Sequence, residues 1–343
     1  MDLDALEDEA RALLDQGVYD YIAGGAFDEL TLSDNRAAWD RIRLRPRVLR
    51  DVRVVSTMTT VLGTTFDHPV GVAPTAFHKL CHGDGEPASS GGAADAGGLF
   101  VLSTRSTARI EDVAEARAGK PWWFQVYVLQ DRDLTASFVR RAVATGCRAL
   151  VLTGDTPLVG RRLRDLRNRF VLPSDLGTIE SLDAPGTLGD QEAGVTFDHI
   201  AWLAEISGLP VVVKGVLRGD DAERSLDAGA SAVWVSNHGG RQLDGAIATA
   251  DALADVVAAV GERAEVYVDG GIRRGTDVLK ALAMGARAAF VGRPVAWALA
   301  VGGRNGVRDL LRGFAGELEL SMALAGAPTI DDVTHDLLGG RAT

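Results

Sequence analysis

Four segments, "AADAGGLFVLST", "AVATGCRALVLTGD", "SLDAGASAVWVSNH" and "ALAMGARAAFVGRP", share one hydrophobic pattern. In each, a helix end of small residues reaches a glycine, then a short gap, then a β-branched or apolar run. Glycine suits the left-handed turn just past a helix. A short run that is apolar on both faces reads as a buried parallel strand. The repeat therefore predicts helix-turn-strand units in series.

Eight such strands are predicted, over 69–76, 99–104, 122–128, 149–155, 210–215, 232–238, 265–271 and 288–294. Helical stretches such as "DLTASFVRRAVATG", "DDAERSLDAGA" and "GTDVLKALAMGA" lie between them. Eight units favour an α/β fold of the closed (β/α)8 TIM-barrel type, with an open doubly wound sheet as the alternative. Nearly every strand ends in polar or special residues: Thr75, Ser103, Gln125 with Tyr127, Thr153 with Asp155, Lys214, Ser236 with His238, Asp269 and Arg293. In a barrel these ends converge on one rim, where barrel enzymes keep their chemistry.

The chain divides as a single domain over 1–343: N-terminal helices and an arm in 1–68, the barrel core in 69–300, and C-terminal helices in 301–343. The N-terminal helices are expected to cover the barrel's outside or part of its mouth. Residues 174–196 are Gly/Asp-rich without clear periodicity, and a long loop at that rim predicts a lid after strand 4.

Composition narrows the class. The chain is 46% hydrophobic and 24% charged, as in ordinary soluble proteins. A net charge of −11 argues against nucleic-acid or anionic-membrane partners. Cys81 and Cys147 lack metal-ligand spacing, so no metal is expected and a reducing, cytoplasmic setting is. The acidic start "MDLDALEDEARALLD" lacks the features of a signal peptide, and no apolar stretch is long enough to cross a bilayer.

The strand ends carry the chemistry. "VYVDGGIRRGTD" and "FVGRP" place glycines and arginines at strands seven and eight, where this fold commonly holds a phosphate. Asp269 is placed to accept hydrogen bonds from ribityl hydroxyls; tight turns alone are the plainer reading of the glycine pairs. No G-x-G-x-x-G precedes a helix, which disfavours a Rossmann nicotinamide site. Lys214 ends an apolar strand and needs an anion or acceptors. An electron-rich flavin ring, a Schiff base or a snorkelled surface position each answer that need. In "VWVSNHGGRQLDG", His238 precedes Arg241, and "DTPLVGRRLRD" adds Asp155, Arg161 and Arg162. Two converging arginines grip a carboxylate, an aspartate orients the imidazole, and together they describe a small-carboxylic-acid site with a base. Taken singly, His238 reads as a core histidine.

These motifs, with "RNRFVLP", "FQVYV" and "YDYIAGGAFDELTLSDNR", make the chain resemble the FMN-dependent α-hydroxy-acid oxidase/dehydrogenase family of glycolate, lactate and mandelate-oxidising enzymes. The resemblance runs from about residue 5 to 330. It implies a TIM barrel, non-covalent FMN and a homotetramer. It makes His238 the base paired with Asp155, with Arg162 and Arg241 on the substrate carboxylate and Tyr21 and Tyr127 on substrate oxygens. For FMN it implies Pro74, Thr75, Ala76, Ser103, Gln125, Thr153, Lys214 and Ser236, with Asp269, Gly271, Arg273, Gly292 and Arg293 on the ribityl chain and phosphate.

Departures refine the expectation. Gly154 stands where the family carries a β-branched residue, and Arg105 where a large or apolar one is common. If Arg105 lines the pocket it favours a second polar or acidic group on the substrate; a solvated loop arginine is the plainer reading. "YIAGGA" resembles the mandelate-type members, Ile22 and Val159 are expected to shape the pocket, and an aryl or bulky (S)-2-hydroxy acid is the expected substrate. A lactate- or glycolate-type oxidase is the alternative. Ala76 leans towards oxygen as acceptor and hydrogen peroxide as product. The rivals are a dehydrogenase passing electrons to a quinone or carrier, a flavin protein without turnover, and an FMN-dependent isopentenyl diphosphate isomerase.

Overall fold

The amphipathic N-terminal pattern folds as α1 (Leu3–Leu13), with Asp2 accepting a hydrogen bond from the Ala5 N–H at 3.0 Å, and then α2 (Gln16–Ala23). The computed structural model describes residues 1–179 and 190–341. Helix α3 (Leu30–Arg41) follows Glu29, whose backbone is left-handed, and takes no cap from its own side chains. Its cap comes from far along the chain: the Asp244 carboxylate accepts from the Thr31 N–H at 2.9 Å and the Asp28 N–H at 3.0 Å. A carboxylate there also complements the helix dipole.

The arm continues as β1 (Ile42–Leu44) and a hairpin of β2 (Thr59–Val61) and β3 (Thr64–Phe66). All eight apolar runs then form parallel strands: β4 (Val70–Val72), β5 (Val101–Leu102), β6 (Trp123–Val126), β7 (Ala149–Thr153), β8 (Val211–Val216), β9 (Ala232–Val235), β10 (Glu265–Val268) and β11 (Ala288–Val291). Their order is β4-β11-β10-β9-β8-β7-β6-β5, and a bridge between Val72 and Phe100 joins the two ends. The sheet closes, as a (β/α)8 barrel requires. A final strand, β12 (Leu338–Arg341), pairs antiparallel with β1.

Seven of the eight ladders stop two or more residues before the predicted end, because the polar residues leave the ladder for the rim. Only β8 runs past it, to Val216.

The barrel's interior explains which end is open. Trp123, Trp234, Tyr267 and Phe290 are buried together, with the Trp234 and Phe290 ring centroids 3.9 Å apart. Small residues make room for them: a Cβ on Gly71 would lie 2.4 Å from the Phe290 ring. Large and small side chains alternating between strands fill a narrow barrel without voids. The β2–β3 hairpin adds Val61 and Phe66 to the plug, and Glu265 accepts from the Leu62 N–H and the Tyr267 hydroxyl. With that end stoppered, the C-terminal strand ends form the mouth.

Part of the expected lid, residues 180–189, lies outside the described residues. Its flanks are tied to the rim by Ile179 N–H to Ser106 O at 2.9 Å and Glu192 N–H to Val128 O at 2.8 Å. Among the described residues no helix is long and apolar enough to cross a membrane.

Candidate active site

His238 follows β9 in a left-handed backbone, φ 57°, and two left-handed glycines come after it. Its Nδ1 lies 3.1 Å from Asp155 Oδ1, at the end of β7. Burial pushes the Asp155 carboxyl up, but His238 and Lys214 outweigh it, and the group is held below its ordinary range. An ionised carboxylate only accepts, so Nδ1 carries the hydrogen, and in the neutral tautomer this selects, Nε2 is the nitrogen with the lone pair. That is the form a general base needs.

Gly215 makes the approach possible. Its φ is +106°, and a Cβ there would sit 2.6 Å from the Asp155 side chain. Gly215→Ala is expected to cost about 1–3 kcal/mol from backbone strain and to push Asp155 off His238. Thermal denaturation checks this, and an unchanged midpoint would show that the loop absorbs the methyl group.

Arg162 and Arg241 converge on one aromatic ring. Their guanidinium carbons lie 5.6 and 5.0 Å from the centroid of one ring, Tyr21, delivered from the end of α2. Tyr21 stacks on Phe170 at 4.9 Å. Arg241 is held by backbone, Nη1 donating to Tyr21 O at 2.7 Å and Gly24 O at 2.9 Å. Burial first, then the charge of Arg162, pushes its pKa down to about 10. Asp165 sits near both, Oδ2 being 3.6 Å from Arg162 Nη1, and burial raises its pKa against their pull. Arg161, by contrast, is exposed.

Tyr127 stands just past β6, its N–H donating to Thr104 Oγ1 at 3.0 Å. Burial, then Asp155 and Tyr21, push its pKa well above the usual phenol value, while Arg105 and a hydrogen bond from Thr156 oppose this. The Arg105 carbonyl accepts from the Phe77 N–H at 3.2 Å, and the Phe77 ring lies 6.2 Å from that of Tyr21. Val159, expected to shape the pocket, is 77% exposed.

A row of side chains spans the rim behind these groups. Gln125 Oε1 accepts from Ser103 Oγ at 3.2 Å, and its Nε2 donates to Thr153 Oγ1 at 2.9 Å. Lys214 Nζ donates to Ser236 Oγ at 2.8 Å and pairs with Asp269 Oδ2 at 3.1 Å. Asp269 Oδ1 also accepts from Ser236. The anion that Lys214 needs is thus Asp269, and both carboxylate oxygens of Asp269 have protein partners. Thr75 Oγ1 is bonded to the buried His78 ring, whose Nδ1 meets Ser89 Oγ at 2.9 Å.

Arg273 and Arg293 close the arc. Arg293 is lowered well below the usual guanidinium value by burial, by Arg241 and by Arg273. Burial and Arg36 push Arg273 down to about 10, and its buried Nε has no partner. Two guanidiniums whose positive charges repel one another and lack a paired carboxylate among the described residues suit an anion such as a phosphate. Arg293 already donates to Ile22, Ala23, Gly24 and Gly239 carbonyls at 2.8–3.1 Å, so its side chain clamps the N-terminal segment. Gly292 precedes it at the start of the last long helix, and Pro74 and Ala76 flank Thr75 just past β4.

The glycine pair Gly270–Gly271 has a cause that sequence reasoning missed. A Cβ on Gly271 would lie 2.0 Å from Asn35 O, so helix α3 packs directly on this turn. Gly154 has no such constraint; a Cβ there would meet only Lys214 O, at 3.6 Å. The buried oxygen Asp155 Oδ2 and nitrogen Arg162 Nε lack protein partners and belong to groups the sequence singled out. Among the described residues no cluster of His, Cys, Asp and Glu could hold a metal ion.

The chain matches the FMN-dependent dehydrogenase family over residues 10–339. It is 48% identical to an L-lactate oxidase of Nostoc sp., covering 97% of this chain and 96% of that protein. A crystal structure of mandelate oxidase with (S)-2-phenylpropionate superposes with a TM-score of 0.91 at 43% identity, covering 98% of this chain and 97% of that one. A lactate oxidase structure from Pediococcus acidilactici gives a TM-score of 0.95 at 37% identity, covering 98% and 93%.

Proposed function

The chain belongs to the FMN-dependent dehydrogenase family, and from that premise we propose that it oxidises a short or polar (S)-2-hydroxy acid, of the L-lactate type, to the 2-oxo acid, with oxygen as electron acceptor and hydrogen peroxide as product. FMN is its cofactor, and the protein is an oxidoreductase of the 2-hydroxy-acid oxidase family. The donor set fits that group: Arg273 offers a buried unpartnered Nε for a phosphate, and the Ser103–Gln125–Thr153 row offers amide and hydroxyl groups for a ring edge.

FMN bound there supplies the acceptor for two electrons. Arg162 and Arg241 fix the carboxylate of the hydroxy acid, and Tyr21 and Tyr127 reach its oxygens. His238 Nε2 takes up the proton released as the hydroxyl carbon becomes a carbonyl, and Asp155 steadies the imidazolium that results.

The observation that carries the substrate size is the backbone of Arg105 bonded to Phe77, whose ring lies 6.2 Å from Tyr21, with the Arg105 charge acting on Tyr127. A guanidinium at the pocket wall supplies hydrogen-bond donors that suit a small or polar group, where an apolar wall would serve an aryl side chain. The likeness to an L-lactate oxidase supports the same reading. The aryl preference expected from "YIAGGA" is the second reading, favoured by the likeness to mandelate oxidase.

A panel of 2-hydroxy acids, assayed by anaerobic flavin bleaching and then by peroxide release in air, tests both parts. L-Lactate is expected to bleach faster than mandelate, and Arg105→Leu is expected to shift the ratio at least tenfold towards mandelate. An unchanged ratio would place Arg105 outside the pocket. Bleaching without peroxide would assign the electrons to another acceptor.

A further inference from the structure

We propose that Asn35, on helix α3, is a positioning residue for His238 and acts through Asn237. The proposal rests on the reading of His238 as the base.

His238, Gly239 and Gly240 adopt φ values of 57°, 62° and 74° in succession. A left-handed residue with a Cβ persists only where its surroundings hold it. Ser236 Oγ holds one side, accepting from the His238 N–H at 3.1 Å. On the other side the Asn237 Oδ1 accepts from the Gly240 N–H at 3.1 Å, spanning the turn that contains His238.

That Asn237 amide is clamped in turn by Asn35. Asn35 Nδ2 donates to Asn237 Oδ1 at 2.8 Å, and Asn237 Nδ2 donates to Asn35 Oδ1 at 2.8 Å. The orientation of each amide is fixed by a backbone donor: Thr249 N–H reaches Asn35 Oδ1 at 3.2 Å, and Gly240 N–H reaches Asn237 Oδ1. Asn237 Nδ2 also donates to Ile247 O at 3.1 Å. Both residues are buried, at 1% and 5% exposure. A reciprocal pair of buried amides tolerates little displacement, because any shift leaves four polar groups short of partners.

Helix α3 is built to stand at this distance. A Cβ on Gly240 would lie 2.6 Å from Leu32 N, and Asp244 of the same loop caps α3. The N-terminal segment and the base-bearing turn thus fix one another, and Asn35 is the contact one residue from the base. It touches neither His238 nor the substrate groups, so its effect on the reaction is positional.

The test uses FMN-loaded Asn35→Ala, Asn237→Ala, the double variant and His238→Ala, each mixed anaerobically with the best acid of the panel. The limiting rate of flavin reduction is measured per bound FMN. The dissociation constant of the corresponding 2-oxo acid is measured by titrating oxidised enzyme. Asn35→Ala is expected to slow reduction about 10- to 100-fold, the effect of displacing a reacting group by a fraction of an ångström to one. The 2-oxo acid should bind within about threefold of the parent, since no carboxylate-binding group is touched. The double variant should be no slower than Asn237→Ala, because Asn35 acts through it.

Parent-like reduction in Asn35→Ala, or losses that multiply in the double variant, overturns the proposal. If Asn35→Ala does not fold, Asn35→Asp keeps the acceptor for Thr249 and loses the donor to Asn237. A slowed rate there supports the proposal and a parent-like rate overturns it. Parent-like reduction in His238→Ala would overturn the base assignment and this proposal together. A dead His238→Ala beside a parent-like Asn35→Ala would overturn this one alone.

Discussion

Replacing His238 by alanine is expected to slow reduction of the bound flavin by about 10²- to 10⁴-fold, the range over which a positioned general base acts. The Nδ1–Asp155 bond at 3.1 Å sets the tautomer that leaves Nε2 basic, and no other imidazole shares that role in the site. His78 is bonded to Thr75 and Ser89, away from the Asp155 carboxylate. FMN should stay bound, because the His238 ring contributes nothing to the Lys214–Ser236–Asp269 cluster or to the arginine arc. Anaerobic bleaching with the best acid of the panel reads the rate, and the absorbance of the purified protein reads FMN content. A variant that reduces within tenfold of the parent would remove His238 from the base role. A colourless variant would show instead that the residue is needed to build the cofactor site.

The second large effect separates the two arginines. Arg162→Met is expected to weaken binding of the hydroxy acid by about 2–4 kcal/mol, or roughly 30- to 1,000-fold in KM, as loss of one partner of a desolvated charged hydrogen bond does. Its stability should hardly change: the Arg162 Nε is buried without a partner, and its nearest protein carboxylate oxygen lies 3.6 Å away. Arg241→Met is expected to lose as much in binding and to lower the melting temperature as well. Its guanidinium satisfies the Tyr21 carbonyl, which would lose that donor, while the Gly24 carbonyl would keep only Arg293. Steady-state kinetics with thermal denaturation checks both variants. Equal stability loss in the two would refute the division of labour, and an unchanged KM in Arg162→Met would remove it from the carboxylate clamp.

Much of this site was legible because its residues stand at the ends of apolar runs. Parallel strands in a barrel all point one way, so a polar residue ending each run is carried to a common rim whatever the loops do. That reasoning placed Asp155, Lys214, Ser236, His238 and Asp269 together. It could not pair them: that Lys214 meets Asp269 and not a ligand alone depends on β8, β9 and β10 standing side by side. Nor could it assign the glycines. Gly270 and Gly271 look like phosphate-loop glycines in sequence, yet Gly271 is required by the carbonyl of Asn35.

The N-terminal segment was the least legible part. Periodicity gave α1, α2 and α3 correctly, but a helix pattern says which face is buried and not what it is buried against. Tyr21 faces two arginines from distant loops, Arg293 spends its donors on carbonyls 22–24, and Asn35 meets Asn237, 202 positions away. Asn35 carried no signal beyond being a polar residue in a helix. The sequence by itself therefore determined the barrel, its open end and the chemical types on its rim, because these follow from local hydrophobic period and chain direction. The tertiary structure decided which charge meets which, which glycines are obligatory and how His238 is held, because those depend on contacts between segments that local pattern does not relate.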